Sequence, residues 1–488
     1  MQPIQFVDTT IRDGNMSLWA CNLRTGMIMP VMEQFDRVGF IAQEVIASAF
    51  FKKLVRELKD DPWERLRLIN KHMPNTPMRA IMGRSVTAFE FTPHSVTKLF
   101  IQRLAANGIR EVRISDSSNT VANWQLRLAD YQEADLKTII NLIYSISPVH
   151  TDDYYRERTR EAAKLGADRL CLKDPGGLLT PERTRDLAQV MLAEAGDTPL
   201  EFHTHCITGL GPICALEAIQ AGIGIINTAT PPLANASSNP SVFNVCENAQ
   251  ALGYSPAIDL EALKPISEHF EKVAQQNSFP IGTPAEYSQA SYMHQVPGGM
   301  ISNLRHQLGL INHADKLDQV LEETARVREE LGYPIMVTPY SQFVGAQAVM
   351  NVIMGERYKQ ISDQVIQYAM GFWGEEERGA VDKNLLDRIC TSPRARELEG
   401  WQIPEPSIEE VRKQMGGTDL DGDEFLLHFF AGGEAVAAMR AAPPPSEYSV
   451  DGTQPVVTLI KELMKKPNFS SVRIEGDGLA LHLVSSKQ

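Results

Sequence analysis

Three short segments far apart in the chain carry side chains able to bind a metal ion and polarise a carbonyl: Arg12-Asp13, Lys173-Asp174 and His203-Thr204-His205. The first follows the apolar run Ile4–Val7, the second closes Leu170-Cys171-Leu172-Lys173-Asp174, and the third follows Leu200-Glu201-Phe202. Side chains two residues apart on a strand share a face, so His203 and His205 should point the same way. One carboxylate, two imidazoles and a lysine converge only if these strands share a barrel. Nitrogen and oxygen ligands without thiolate suit Zn, Mn or Co, and the imidazole pair weighs against Mg. Neutral lysine is a poor ligand, but a lysine carbamylated by CO2 presents a carboxylate. Asp13, Lys173, His203 and His205 are therefore expected to make an open metal site. A His pair alone would equally suit a packed core, and the company of Asp13 and Lys173 weighs against that. Cys206, next in sequence, reads as a further ligand or as a packed, pocket-lining thiol, the second being preferred.

The elements that must position these residues alternate. Short apolar runs occur at Ile4–Val7, Phe40–Ile46, Met78–Met82, Glu111–Ile114, Leu142–Ile146, Arg169–Leu172, Leu200–Phe202 and Gly224–Asn227. Amphipathic stretches such as Pro62–Lys71, Ser95–Ala106, Tyr154–Leu165, Pro181–Ala195 and Ile213–Ala221 lie between them. Eight strands alternating with helices predict an α/β fold, a TIM (β/α)8 barrel, whose chemistry sits at the strands' C-terminal ends. Polar residues gather at those ends, among them Glu44, Arg84, Asp116, Ser145 and Thr228, although loops there are polar in any case. Residues 1–260 are expected to form the barrel and residues 261–440 an α-helical domain that completes the active site. A Pro-rich linker (441–447) and a small α+β tail (448–488) should follow, with Val456–Lys465 helical and Ser471–Val484 a hairpin.

Composition excludes several classes. The 488 residues carry Lys+Arg 47 against Asp+Glu 61, a net charge of −14, which argues against nucleic acid or an anionic membrane as partner. A hydrophobic content of 43% is that of a chain with a large core. Six cysteines without a CxxC pair read as reduced thiols. No basic, apolar leader opens the sequence and no apolar run spans a bilayer, so a cytoplasmic location without a membrane span is expected.

Taken together, the motifs resemble the carboxyltransferase component of biotin-dependent enzymes: the oxaloacetate decarboxylase α subunit, pyruvate carboxylase and transcarboxylase. The resemblance covers roughly residues 4–440. It rests on Asp8-Thr9-Thr10-Ile11-Arg12-Asp13, Pro62-Trp63-Glu64-Arg65-Leu66 and Lys173-Asp174-Pro175-Gly176-Gly177-Leu178-Leu179. His203-Thr204-His205-Cys206-Ile207-Thr208-Gly209-Leu210, Ser238-Asn239-Pro240-Ser241 and Pro297-Gly298-Gly299-Met300-Ile301-Ser302-Asn303-Leu304 complete it. It implies transfer of CO2 between carboxybiotin and an enolisable carbonyl acceptor such as pyruvate or oxaloacetate. It also implies catalytic roles for Arg12, Lys173 and Ser302, the last as proton shuttle. Ser302 also suits a helix N-cap. The implied partners are biotin carboxyl carrier protein and biotin carboxylase subunits, with a small-molecule carbonyl substrate and homo-oligomeric assembly.

Departures from the family pattern bear on the acceptor. Where the family reads Arg-Asp-Ala-His-Gln-Ser, this chain has Arg12-Asp13-Gly14-Asn15-Met16-Ser17; the family's Leu-Leu-Arg-Gly is Ile81-Met82-Gly83-Arg84. The family's Trp-Gly-Gly-Ala-Thr-Phe is replaced by Ile46-Ala47-Ser48-Ala49-Phe50-Phe51. Met16, Arg84 and Cys206 are thus expected to line an acceptor pocket altered from the pyruvate type. Biotin is expected on a separate subunit, since Met464-Lys465-Lys466 lacks the Ala-Met-Lys-Met context, leaving 448–488 as a docking element. Two alternatives remain: a metal-dependent acyl-CoA lyase or Claisen-type synthase of the same barrel group, and a non-catalytic scaffold subunit of a carboxylase complex.

Overall fold

Eight parallel strands close into a barrel: β1 (Gln5–Asp8), β2 (Ala42–Ala47), β3 (Met78–Met82), β4 (Ile109–Ile114), β5 (Lys137–Ile143), β6 (Arg169–Asp174), β7 (Leu200–Thr204) and β8 (Ile225–Thr228), with β8 paired back to β1. The computed structural model describes residues 3–443 apart from 49, 84, 85, 87–90, 290, 293, 294, 296–303, 306, 307, 311, 403 and 417–419, together with 471–476 and 479–484. Every expected strand is present, with one shifted. The expected run Leu142–Ile146 becomes Lys137–Ile143, because Asp168 caps the strand's start by accepting the Thr138 amide at 2.7 Å. At its other end the Tyr155 hydroxyl accepts the Ser145 amide at 2.8 Å and draws the chain off the sheet. Helix Val121–Glu133, unremarked in sequence, fills the gap between β4 and β5.

The barrel interior departs from the usual packing of branched apolar layers. Arg79 of β3 donates to Glu201 of β7 at 2.8 Å and to Glu111 of β4 at 2.7 Å. Arg169 of β6 reaches the same two carboxylates at 2.9 and 3.1 Å. β3 and β7 lie on opposite sides of the barrel, so these side chains must fill its interior. A second layer nearer the strand ends joins Arg113, Glu44, Asn141 and Cys171. Most apolar positions of the strands face outward instead, packing with the surrounding helices into one large core, while Val7, Ala42 and Ile225 form a small cluster of their own.

Beyond the barrel every described element up to residue 440 is helical, from Leu260–Asn277 to Gly433–Arg440. Residues from Leu304 to Ala395 form a second core around Val320, Phe343 and Tyr368. Phe425, Leu426 and Phe430 return to the barrel's own core. There the Trp63 indole N–H donates to the Asp423 carbonyl at 3.1 Å, which accounts for Trp63 of the Pro62–Leu66 motif. Strands β9 (Ser471–Gly476) and β10 (Leu479–Val484) pair antiparallel, as the hairpin reading requires; the expected helix 456–465 lies outside the described residues. Among the described residues no helix is long and apolar enough to cross a membrane.

Removing one partner from a buried ion pair strands the others. Arg79→Met is expected to destabilise the fold by about 3–5 kcal/mol in chemical denaturation, because Glu111 and Glu201 lose the guanidinium between them. A loss below about 1 kcal/mol would show that Arg169 alone neutralises both carboxylates.

Candidate metal and enolate site

The chain leaves β1 through Asp8-Thr9-Thr10, which knit the barrel rather than face a ligand. Asp8 accepts the Thr10 amide at 2.9 Å, and the Thr9 hydroxyl lies 2.9 Å from Thr228 O and 2.6 Å from Asn239 Oδ1. That anchoring lets the wide helical turn Thr10–Gly14 carry Arg12 and Asp13 over the strand ends. Gly14 is required there, since a Cβ would meet the Leu233 carbonyl at 2.6 Å. Across the mouth, Asp174 accepts the Leu178 and Leu179 amides, each at 2.9 Å. The turn that permits this needs Gly177, whose φ is +61° and whose added Cβ would lie 2.7 Å from the His205 carbonyl. Asp174 is therefore a scaffold for the segment carrying His205.

Asp13 Oδ2 lies 3.0 Å from His203 Nε2 and 3.2 Å from His205 Nε2, and one ligand atom from each of the three residues lies within 4.8 Å of the others. Both imidazoles are oriented from behind. His205 Nδ1 lies 2.7 Å from the Ser237 carbonyl, a group that only accepts, so Nδ1 carries the proton and Nε2 offers its lone pair to the site. His203 Nδ1 lies 3.2 Å from Asn227 Oδ1, and the amide is turned that way because its Nδ2 donates to Glu201 at 3.3 Å. Burial, then Arg113, pushes the His203 pKa down to about 3, so the ring is neutral. Burial pushes the Asp13 carboxyl up, but the Arg12 guanidinium beside it outweighs this and holds it well below the usual carboxylate range. Two lone pairs and a carboxylate oxygen thus converge, and this donor set calls for a cation.

Lys173 stands beside this cluster. Its amine donates to the Ser115 hydroxyl at 3.1 Å, and burial, then Arg113 and Arg12, pushes its pKa down to about 8. Arg12 forms an ion pair with Asp13 at 3.1 Å and donates to Glu44 at 2.8 Å, and Glu44 also takes Arg113. Sequence reasoning places Glu44 among the polar strand-end residues without a role, and assigns none to Asn227 or Ser237. Asn239, quoted within a motif, donates to the Thr204 carbonyl at 2.8 Å and lies 3.3 Å from His203 Nε2.

Asp13, Lys173, His203, His205 and Arg12 are therefore brought together. Met16, 36% exposed, lies on the short helix Asn15–Trp19 that follows Asp13. Cys206 is buried; a Cβ on Gly211 would come within 2.7 Å of its sulfur, so the thiol packs against the start of helix Gly211–Ala221. Arg84 and Ser302 lie outside the described residues.

A parallel barrel with a carboxylate and two preset imidazoles at its mouth defines a class of enzyme that can polarise a carbonyl. Comparison with known proteins narrows it. The HMGL-like family matches residues 3–269 and the conserved carboxylase domain family matches residues 292–427. One pyruvate carboxylase subunit, from Methanocaldococcus jannaschii, is 37% identical over 79% of this chain and 68% of its own. Its counterpart from Methanothermobacter thermautotrophicus is 33% identical over 94% and 82%. The 2-oxoglutarate carboxylase large subunit of Hydrogenobacter thermophilus is 32% identical over 88% and 67%. The carboxyl transferase domain of Rhizobium etli pyruvate carboxylase shares the fold, with a TM-score of 0.83 at 24% identity over 92% of this chain and 79% of that one. The chain belongs to the carboxyltransferase subunits of biotin-dependent carboxylases. The carboxylase-domain match beyond the barrel separates it from the lyase and synthase alternative, and the scaffold alternative gives way to an enzyme.

The tautomer argument is directly measurable. Nitrogen-15 NMR of the pure protein should show His205 protonated at Nδ1 and His203 neutral at pH 7; a doubly protonated His203 would contradict the geometry.

Proposed function

We propose that the chain moves a carboxyl group between carboxybiotin, carried on a separate carrier protein, and an enolisable carbonyl acceptor held beside Asp13, His203 and His205. The facing of those three ligand atoms carries this reading. Asp13, His203 and His205, with Lys173 as its carbamate, would hold a divalent ion: Zn, Mn or Co. When bound, such an ion polarises the acceptor carbonyl and stabilises the charge of its enolate.

The chain's own residues supply the rest. The Lys173 amine, neutral in a large fraction of molecules near pH 8, attacks CO2 and releases one proton, leaving a carbamate. Arg12, fixed by Glu44, places a guanidinium edge beside Asp13 where negative charge develops on the acceptor. The Ser302 hydroxyl carries the proton between the acceptor carbon and the biotin nitrogen. Met16 cannot donate a hydrogen bond, and Gly83 stands where the family has an arginine, so the pocket suits an acceptor bulkier or less polar than pyruvate. The relatives' names do not agree on an acceptor: two are named for pyruvate and one for 2-oxoglutarate. Residues 1–260 and 261–440 act as barrel and completing domain, 441–447 as the linker, and 448–488 as the element that docks the biotin carboxylase and carrier subunits. A cytoplasmic homo-oligomeric assembly accords with this organisation.

Two outcomes are expected. Elemental analysis should find about one divalent ion per chain, lost in a His203→Ala/His205→Ala variant and held roughly 10–100-fold more weakly in Asn227→Ala. Complexes purified with their biotin carboxylase and carrier should carboxylate a member of a 2-oxo acid panel and lose that activity in Lys173→Ala. Metal retained undiminished in the double variant would overturn the assignment. Separately, deletion of 448–488 should release this chain from the complex in size-exclusion chromatography, whereas an intact complex would remove the docking role.

A further inference from the structure

Strand β8 supplies none of the ligands proposed above, yet it lies between the two strands that supply three of them. In the closed barrel it pairs with β7, which carries His203 and runs on to His205, and with β1, which runs on to Asp13. The loop that leaves β8 grips both neighbours. Toward β7, the Ser237 carbonyl accepts from His205 Nδ1 at 2.7 Å, and the Ser238 carbonyl accepts the Cys206 amide at 2.9 Å. Asn239 Nδ2 donates to the Thr204 carbonyl at 2.8 Å. Toward β1, the Thr9 hydroxyl donates to Asn239 Oδ1 at 2.6 Å, and the Ser237 hydroxyl donates to the Ser17 carbonyl at 2.8 Å. The loop pays for this reach in its backbone. Asn235 and Ala236 are both left-handed, with φ +66° and +50°, and alanine has no polar side chain to offset that conformation. Bonds from the Ser238 amide to the Asn235 carbonyl and from the Asn235 amide to the Asn239 carbonyl, each 2.8 Å, close the turn and enforce it.

Ser237 is the residue that faces both sides at once, its carbonyl toward His205 and its hydroxyl toward Ser17. Ser17 stands one helical turn beyond Asp13, and its own hydroxyl lies 3.3 Å from Asp13 Oδ1. The contacts therefore run in a ring, from Asp13 to Ser17, Ser237 and His205, and back to Asp13 where His205 Nε2 meets Oδ2 at 3.2 Å. Within that ring the two oxygens of Asp13 have different company. Oδ1 faces Arg12 at 3.1 Å and Ser17, whereas Oδ2 faces both imidazoles. We propose that Ser237 is a positioning residue: it sets the spacing of Asp13 and His205 and, with Ser17 and Arg12 on Oδ1, leaves Asp13 only Oδ2 to offer an ion. This deepens, and rests on, the reading of Asp13 and His205 as ligands of one divalent ion. A carboxylate limited to one oxygen leaves a position on the ion open to the acceptor, which a catalytic site requires. The hydroxyl of a ligand-free strand's loop thus tunes a site to which it contributes no donor.

The test uses the purified full chain in bicarbonate buffer, with zinc or cobalt(II) alone as the probe. Ser237→Ala removes the hydroxyl and keeps the carbonyl that orients His205. It should release zinc to a chelator about ten- to a hundredfold faster than the parent. Ser237→Thr, which restores a hydroxyl, should recover most of that loss. The visible bands of the cobalt-loaded protein report ligation directly. They should weaken in Ser237→Ala, as Asp13 Oδ1 joins the ion and raises its coordination number, and return in Ser237→Thr. Ser17→Ala keeps the carbonyl that Ser237 holds and removes only the hydroxyl near Oδ1, so its bands should weaken in the same direction with a smaller gain in release rate. Should Ser237→Ala take up no cobalt, Ser17→Ala carries the spectral test. Unchanged release, faster release with the parent's cobalt bands, or a Ser237→Thr that behaves as Ser237→Ala would each overturn the proposal. A parent chain that binds neither ion would instead overturn the ligand reading on which it rests.

Discussion

Glu44, fully buried between Arg12 and Arg113, is the contact on which the site depends. Burial alone would push its carboxyl up, but Arg113 and then Arg12 bring it down to about 2, so it is ionised at any working pH. Glu44 thereby holds both guanidiniums close to the ligands. Burial, then these guanidiniums, keep His203 neutral and bring Lys173 down to about 8, where part of it is neutral. A metal site needs deprotonated nitrogen donors, and a lysine that reacts with CO2 must first be neutral. The same pair of arginines therefore fixes Arg12 against Asp13 and presets the protonation of the neighbouring ligands.

The charged interior serves this arrangement from below. Glu201, held by Arg79 and Arg169, accepts the Asn227 amide; Asn227 in turn faces His203 Nδ1. Orientation thus passes from an ion-paired layer in the barrel to the tautomer of a ligand at its mouth. Branched apolar side chains in those positions could pack the barrel but could not orient an imidazole. Most apolar strand positions face the helical shell instead, so stability is drawn from the outer core while the inner layers are given to the site.

Much of this was legible in the chain. The spacing of the apolar runs gave the eight strands, and Asp13, Lys173, His203 and His205 fell at their ends because active groups on this fold sit there. The charged interior also left a signal: Arg169-Leu170-Cys171-Leu172-Lys173 and Glu201-Phe202-His203 alternate polar and apolar, which in a barrel covered by helices directs the polar set inward. Which carboxylate meets which arginine was not legible, since Arg79 and Glu201 are joined only by closure of the barrel. Asn227 and the Ser237 carbonyl were likewise hidden, the first because its role depends on Glu201 of the neighbouring strand and the second because it depends on loop geometry around Asn235–Ser241. The misplaced start of β5 has a local cause, the cap supplied by Asp168 to Thr138.

The central claim is that Asp13, His203 and His205 share one metal ion with a carbamylated Lys173. Anomalous diffraction at the metal's absorption edge, on crystals of the pure protein grown with bicarbonate, tests it most directly. The account predicts one peak at roughly 2.0–2.3 Å from Asp13 Oδ2, His203 Nε2 and His205 Nε2, with density for a carboxylate on Lys173 Nζ. A peak bonded elsewhere, or a bare Lys173 amine still hydrogen-bonded to Ser115 beside a metal-loaded cluster, would contradict it.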